Sequence, residues 1–368
     1  MKRDPKRTTP AAGEDSARPR YEAEALVAFA TSLLTGAGVA SDAAHDVAAV
    51  LVEGDLLGHD THGLGLLSGY LSELDKGSMT RSGDPEVLNE RTTVACWDGQ
   101  RLPGPHLLRR AVDWARPRAR DHGQATVAIR RSHHIACLAA YLEPVARAGM
   151  LIEIYSSDPA VASVAPFGGT RAVFTPNPIA IGIPTSRDPI LIDISASVTT
   201  NGLSNRMRAA RVKGRHDWWL DGSGQPTNDP AVLFDEPPGT ILPLGGLDAG
   251  HKGYGLALMV EAFTGGLAGY GRADLPDGWG ANVMVRLTDP GAFGGQAEFN
   301  WQTDWLVDVC HDNVPRVAGQ PVRLPGERGL ARKREQLSTG VELHPSIMPA
   351  LEPLASRYRV PVPEPIES

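Results

Sequence analysis

A chain of 368 residues with 42% hydrophobic and 21% charged residues has the balance of a folded globular protein, and its length predicts two or three domains. The net charge of −7 argues against a nucleic-acid footprint, and aromatics at 6% are too sparse for a base-stacking surface. No apolar run approaches the roughly 18 residues of a membrane span, and Cys96, Cys137 and Cys310 lie far apart without a C-x-x-C, which fits a reducing cytoplasm.

Residues 1–20 are charged and contain prolines but no apolar core, so they read as a disordered extension rather than a secretory signal. From Tyr21 to Leu34, the spacing of Leu26, Phe29, Ala30, Leu33 and Leu34 predicts a helix. Ser41 is placed to cap a second helix with Val47, Leu51, Val52 and Leu56 on one face. That helix delivers Gly58-His59-Asp60-Thr61-His62-Gly63, followed by a helical pattern over 64–74. His59 and His62 are spaced to share a metal, but no further ligand stands nearby at a known spacing, so no metal is expected. A helix is predicted over 105–120, with Pro117 set to end or kink it.

Residues 125–129 read as a strand, Ser132-His133-His134 follows, and 135–148 reads as a helix. Adjacent histidines where a strand gives way to a helix are a candidate site, since they titrate near neutral pH. Strands are predicted at 151–155, over the apolar run 179–184 and at 190–194, where Asp193 interrupts an apolar stretch and must be paired or functional. The glycine-rich segment from Gly250 to Gly255 opens a long apolar helix. Lys252, one of only six lysines among 36 basic residues, suits a phosphate there. A strand over 283–287, a helix over 298–309 with Trp305 and Leu306 inward, an Arg-rich helix after Pro325-Gly326-Glu327, and a tail with a short strand and an interrupted helix complete the chain.

These residues alone describe a multi-layer α/β enzyme with histidines and a candidate phosphate turn. The segments from Tyr21 to Tyr358, in their order, resemble the malate/L-lactate dehydrogenase family. They include the motif ending Thr61-His62-Gly63, Ser132-His133-His134, Pro166-Phe167-Gly168-Gly169, Asn177-Pro178, Ile192-Asp193-Ile194, His251-Lys252-Gly253-Tyr254-Gly255 and Pro325-Gly326-Glu327. The resemblance implies a non-Rossmann NAD(P)-binding sheet domain over 121–309, with 21–120 and 310–368 forming a helical substrate and dimerisation region. It implies a homodimer acting on a small molecule with NAD or NADP, in agreement with the absent G-x-G-x-x-G. His134 matches the family's acid/base histidine. His62 has that role in some members and otherwise lines the substrate pocket with Thr61. Asn177, Pro178, Ile192, Asp193, Ile194, His251, Lys252, Pro325, Gly326 and Glu327 fall where the family contacts the dinucleotide.

The departures cluster around one pocket. Where the family carries a carboxylate-holding arginine after Ser/Thr-His-Gly, this chain has Leu66, and a leucine cannot replace a bidentate guanidinium. The family's Ser-Asn-His-Phe-Gly is here Ser132-His133-His134-Ile135-Ala136, and its Gly-Lys is Gly202-Leu203. The expected activity is hydride transfer to a ketone or imine with an altered substrate. The alternative is a silent homologue that binds a dinucleotide or a protein partner.

Overall fold

The computed structural model describes residues 19–366. The extension expected over 1–20 lies outside the described residues except Pro19 and Arg20, and Arg20 is already in a strand. β1 (Arg20–Tyr21) pairs antiparallel with β12 (Val341–Glu342), joining the two ends of the chain.

Helices α1 (Ala23–Gly36) and α2 (Ser41–Leu56) pack together through the stripes read from the sequence, with Leu26, Leu33 and Leu51 fully buried. Ser41 is the first helical residue rather than the cap, which is Ala40, so the cap makes no side-chain hydrogen bond and the Asp42 carboxylate accepts the Ala43 N–H instead. A 3-10 turn (Leu64–Leu66) leads into α3 (Leu67–Lys76).

The central sheet has seven strands in the order β2-β3-β4-β11-β5-β6-β7. They are β2 (Glu86–Glu90), β3 (Val94–Asp98), β4 (Gln124–Ser132), β5 (Leu151–Ser157), β6 (Pro178–Ile183), β7 (Ile190–Ser195) and β11 (Ala281–Thr288). Only β3 and β4 run parallel; every other pairing is antiparallel. Two strands therefore come from the segment expected to be helical. β2 has every residue exposed, so it carries no alternation of buried and exposed positions to read.

Helix α4 (Gly104–His122) covers β4 and β11 with Leu108, Ala111, Ala115 and Ala119. Pro117 lies inside it and does not end it, because buried alanines on both sides hold the last turns to the sheet. The stretch expected to be one helix after the histidine pair is irregular through Cys137, with Ala136 at a left-handed φ of 59°, then a 3-10 turn (Leu138–Tyr141), then the short α5 (Leu142–Arg147).

Beyond the edge strand β7, α6 (Asn201–Ala209), β8 (Trp219–Leu220), β9 (Pro226–Thr227) and β10 (Thr240–Ile241) gather around the fully buried Trp219. Helix α7 (Gly246–Glu261) begins earlier than its apolar pattern, so Gly250 to Gly255 lie within it. Helix α8 (Gln296–His311) forms as expected but faces the other way: Thr303 and Val307 are buried, whereas Trp305 is 57% and Leu306 49% exposed. Thr303 bonds the Pro184 carbonyl and Asp304 the Ser186 N–H, and these contacts fix which face turns inward. Helix α9 (Glu327–Thr339) is tied to α2 and α5 by Lys333, whose ammonium donates to Glu53 (2.6 Å) and Glu143 (2.8 Å). Helix α10 (Ile347–Tyr358) runs uninterrupted through Pro349 and Pro353. None of the described helices is long and apolar enough to cross a membrane.

Candidate active site

A cavity of about 540 Å³ opens where the turn after α2, the stretch after β4 and the end of β7 converge on the 279–281 segment. Its volume falls in the range of small-ligand pockets. Thr61, His62, Leu66, His134 and Asp193 all line it, although they are far apart in sequence.

His134 lies in irregular backbone beyond β4, not at a helix start. Its Nδ1 meets the Tyr70 hydroxyl at 2.8 Å and the Ala136 N–H at 3.3 Å. That leaves Nε2 as the nitrogen for proton exchange. His62 is held likewise, its Nδ1 2.9 Å from the Thr61 hydroxyl, and the two imidazoles stack with centroids 5.9 Å apart. Burial pushes the His62 ring down to about 4, with His59 and Arg206 adding to the effect. Burial also holds His134 well below the usual range, so both rings are neutral at pH 7.

Glycines brace the backbone behind both histidines. A Cβ on Gly104, the first residue of α4, would come within 2.4 Å of the carbonyl oxygens of His133 and His134. A Cβ on Gly63, next to His62, would meet the buried Asp55 carboxyl at 2.2 Å. Asp55 accepts the Leu64 N–H at 2.7 Å and so anchors the turn that carries Thr61 and His62.

His133 is not a site residue. It is fully buried, neither ring nitrogen has a hydrogen-bond partner among the described residues, and burial pushes it down to about 4. The Glu73 carboxylate stands 3.9 Å away, too far for a hydrogen bond. The ring packs edge-on against Tyr70 and Trp279.

Trp279 escaped the sequence reading. Its ring lies over His134, centroids 4.6 Å apart, and forms a wall of the cavity. The available signal was a lone tryptophan flanked by glycines just before β11.

None of the residues lining the cavity is a lysine or arginine. Of the nearby arginines, Arg206 pairs with Asp60 at 2.9 Å, Arg131 with Asp98, and Arg208 stacks on Phe234. Arg171 lines a neighbouring cleft that shares Val161, Asn201 and Asn205 with the cavity. Leu203 is on the exposed side of α6 and does not reach the cavity.

The expected dinucleotide residues separate into groups. β7 is the outermost strand, and the Leu191 N–H bonds the Pro325 carbonyl. Strand alternation puts the Asp193 backbone amide on that same outer edge, beside Ile194 and Ser195 of the cavity wall. Ile192 does not line the cavity. Gly326 takes a left-handed φ of 92° and presses on Leu191, while Glu327 accepts the Leu324 N–H at 3.1 Å and pairs with His311. The outer edge of β7 beside Asp193 is thus continuous with the 325–327 turn. Pro178 borders the cavity, but Asn177 is fully buried and turned away, donating to the Ala257 carbonyl and Glu261. His251 and Lys252 are exposed on α7 and do not line the cavity; the adjoining Gly253 packs on Ala196, directly after Ser195.

His59 is not paired with His62 through a shared ligand. Its ligand atom lies instead with those of Cys137 and Asp193, all three within 4.8 Å of one another.

Comparisons with known proteins agree with this architecture. Residues 21–352 match the family described as malate/L-lactate dehydrogenase. An L-lactate dehydrogenase of Cupriavidus necator is 34% identical over 348 residues, covering 91% of this chain and 97% of its own. The malate dehydrogenase structure from Pyrococcus horikoshii superposes with a TM-score of 0.83 at 26% identity, over 97% of this chain and 99% of that one. The delta1-piperideine-2-carboxylate reductase of Pseudomonas syringae gives 0.79 at 26% identity, covering 91% and 99%.

Proposed function

The chain belongs to the malate/L-lactate dehydrogenase family of nicotinamide-dependent oxidoreductases, and from that premise we propose that it interconverts an uncharged ketone or imine with its alcohol or amine. The observation that carries this reading is a cavity with two neutral, hydrogen-bonded histidines and no lysine or arginine in its wall. The bound dinucleotide, NAD or NADP, supplies or receives the hydride. Along this chain it would follow the β7 edge by Asp193 and the Pro325–Glu327 turn, with Pro178 at the cavity and His251 and Lys252 near its phosphates.

His134 exchanges the proton at the substrate oxygen or nitrogen through Nε2, and Tyr70 fixes the ring by holding Nδ1. To take a hydroxyl proton at Nε2 in the oxidative direction, the neutral ring carries its hydrogen on Nδ1 and donates it to the Tyr70 hydroxyl. That hydroxyl in turn donates to the His134 carbonyl at 3.3 Å, and the long Ala136 contact is given up. The same ring, once protonated, is a strong donor for the charge that develops in reduction. His62, held by Thr61, lines the reacting centre beside it. Leu66 and Trp279 offer apolar surface where a carboxylate would stand unpaired, at a cost of about 1–3 kcal/mol.

Turnover of a panel of 2-oxo acids, cyclic imines and neutral ketones, followed by nicotinamide absorbance with both cofactors, tests the reading. Neutral compounds are expected to exceed small 2-oxo acids by about 100-fold in kcat/KM, with Leu66→Arg shifting the preference toward the acids. Efficient turnover of small 2-oxo acids by the unmodified protein would refute the substrate assignment. Dinucleotide binding without turnover anywhere in the panel would support a silent homologue, the reading that Leu66 and Leu203 favour.

We also infer a homodimer. The face of α8 with Trp301 and Trp305, one turn apart and 71% and 57% exposed, is continuous in sequence with Phe293 at 68%. Large aromatics of this kind are typical of interface anchors.

A further inference from the structure

The cavity holds a second constellation that proton exchange does not use. His59, Cys137 and Asp193 come from the turn after α2, the irregular stretch after His134 and the edge strand, and all three line the cavity. One ligand atom from each lies within 4.8 Å of the others. The Asp193 carboxylate accepts the Ala139 N–H at 2.9 Å and stands 4.0 Å from Cys137 Sγ, and no lysine or arginine among the described residues pairs with it. Cys137 is 3% exposed.

We propose that His59, Cys137 and Asp193 form a three-ligand site for a divalent cation of the zinc type, with its fourth position open to the cavity. The donor set of one thiolate, one imidazole and one carboxylate selects zinc over magnesium or calcium, which take oxygen ligands. Three protein ligands with an open position is the arrangement of catalytic zinc. Zinc bonds of about 2.0–2.3 Å separate tetrahedral donors by roughly 3.2–3.8 Å, so closing the site needs a contraction of about 1 Å. The half-buried His59 ring, which makes no hydrogen bond to another described residue, is free to supply it.

Charges balance as well. A dication with a thiolate, a carboxylate and a neutral imidazole is net neutral. Its open position takes water or a carbonyl oxygen. That last role rests on the reading of the cavity as an uncharged-carbonyl site; the metal site itself does not.

Titration of the chelator-treated full chain with cobalt(II), and competition by zinc, tests the proposal. The expected spectrum has a near-ultraviolet thiolate-to-cobalt band and the intense visible bands of a tetrahedral ion, at one cobalt per chain. Cys137→Ser should abolish the thiolate band, and His59→Gln, a half-exposed position, should weaken zinc at least about 100-fold, more than loss of an outer-shell partner. Far-ultraviolet circular dichroism and nicotinamide fluorescence on each variant separate loss of the site from loss of the fold. Dinucleotide binding is read independently of the metal, so failure of either reading is distinguishable. The absence of a thiolate band in the folded wild type would overturn the proposal, as would a band that survives Cys137→Ser.

Discussion

Acid should unfold this protein through His133. The ring is fully buried, has no hydrogen-bond partner among the described residues, and protonates in the folded state only at about 4. In the unfolded chain it protonates at about 6.5. Above that pH neither state carries the proton, and there is no penalty. Between the two values the unfolded chain binds a proton that the folded protein refuses, so stability falls as pH falls, and the loss levels off below about 4. The separation amounts to about 3 kcal/mol, a large share of the roughly 5–15 kcal/mol that holds a domain together. His62, depressed to the same extent, pushes in the same direction. Asp55, raised to about 7 mainly by burial, pushes in the opposite one, losing its contribution as pH rises. A comparison of wild type with His133→Phe isolates the single ring, because phenylalanine fits the edge-on contacts with Tyr70 and Trp279 and cannot titrate. Urea unfolding followed by circular dichroism at about pH 7.5 and about pH 4.5 should show the variant gaining about 2–3 kcal/mol on wild type between the two conditions. A stability difference that is the same at both pH values would refute the reasoning, whatever its sign.

Three further outcomes are expected. His134→Ala should lower turnover by about 10²–10⁴ with dinucleotide affinity nearly intact, and Tyr70→Phe should lower it about 10-fold or more by freeing Nδ1; steady-state kinetics on both, with His62→Ala beside them, decides which histidine moves the proton. Lys252→Ala should weaken dinucleotide binding by about one to two orders of magnitude, as loss of a charge-assisted phosphate contact does, and calorimetry that finds no change would remove Lys252 from the site. Trp305→Glu should convert a dimer into monomers in analytical ultracentrifugation, and a monomeric wild type would refute the assignment of the α8 face.

Several elements were legible because their periodicity is strong: the α1 stripe of Leu26, Phe29, Leu33 and Leu34 and the apolar runs of β5, β6 and β7 all appear where expected. β2 was not legible, since an edge strand exposed along its whole length has no hydrophobic register. The direction of α8 was misread because apolar residues occur all round it, and only the contacts of Thr303 and Asp304 with the β6–β7 turn decide which face is inward. Within the site, His134, His62, Thr61, Leu66 and Asp193 were visible from short motifs and do meet at one cavity. Trp279 over His134 was not, and neither was the grouping of His59 with Cys137 and Asp193. Both depend on segments brought together across long sequence separations, which carry no local periodicity.

The hydrogen-only positions at Gly63 and Gly104 make the site tolerant of change from one side only. Substitutions at Leu66 alter the space a substrate sees and leave both imidazoles where they are. A single methyl group at Gly104 has nowhere to go except into the backbone of His133 and His134, and one at Gly63 collides with the carboxyl that anchors the His62 turn. Efforts to redirect the enzyme toward new compounds therefore have free play on the solvent-facing wall of the cavity and almost none behind the histidines. In a saturation library, among positions that do not line the cavity, losses of activity should be marked at these two glycines.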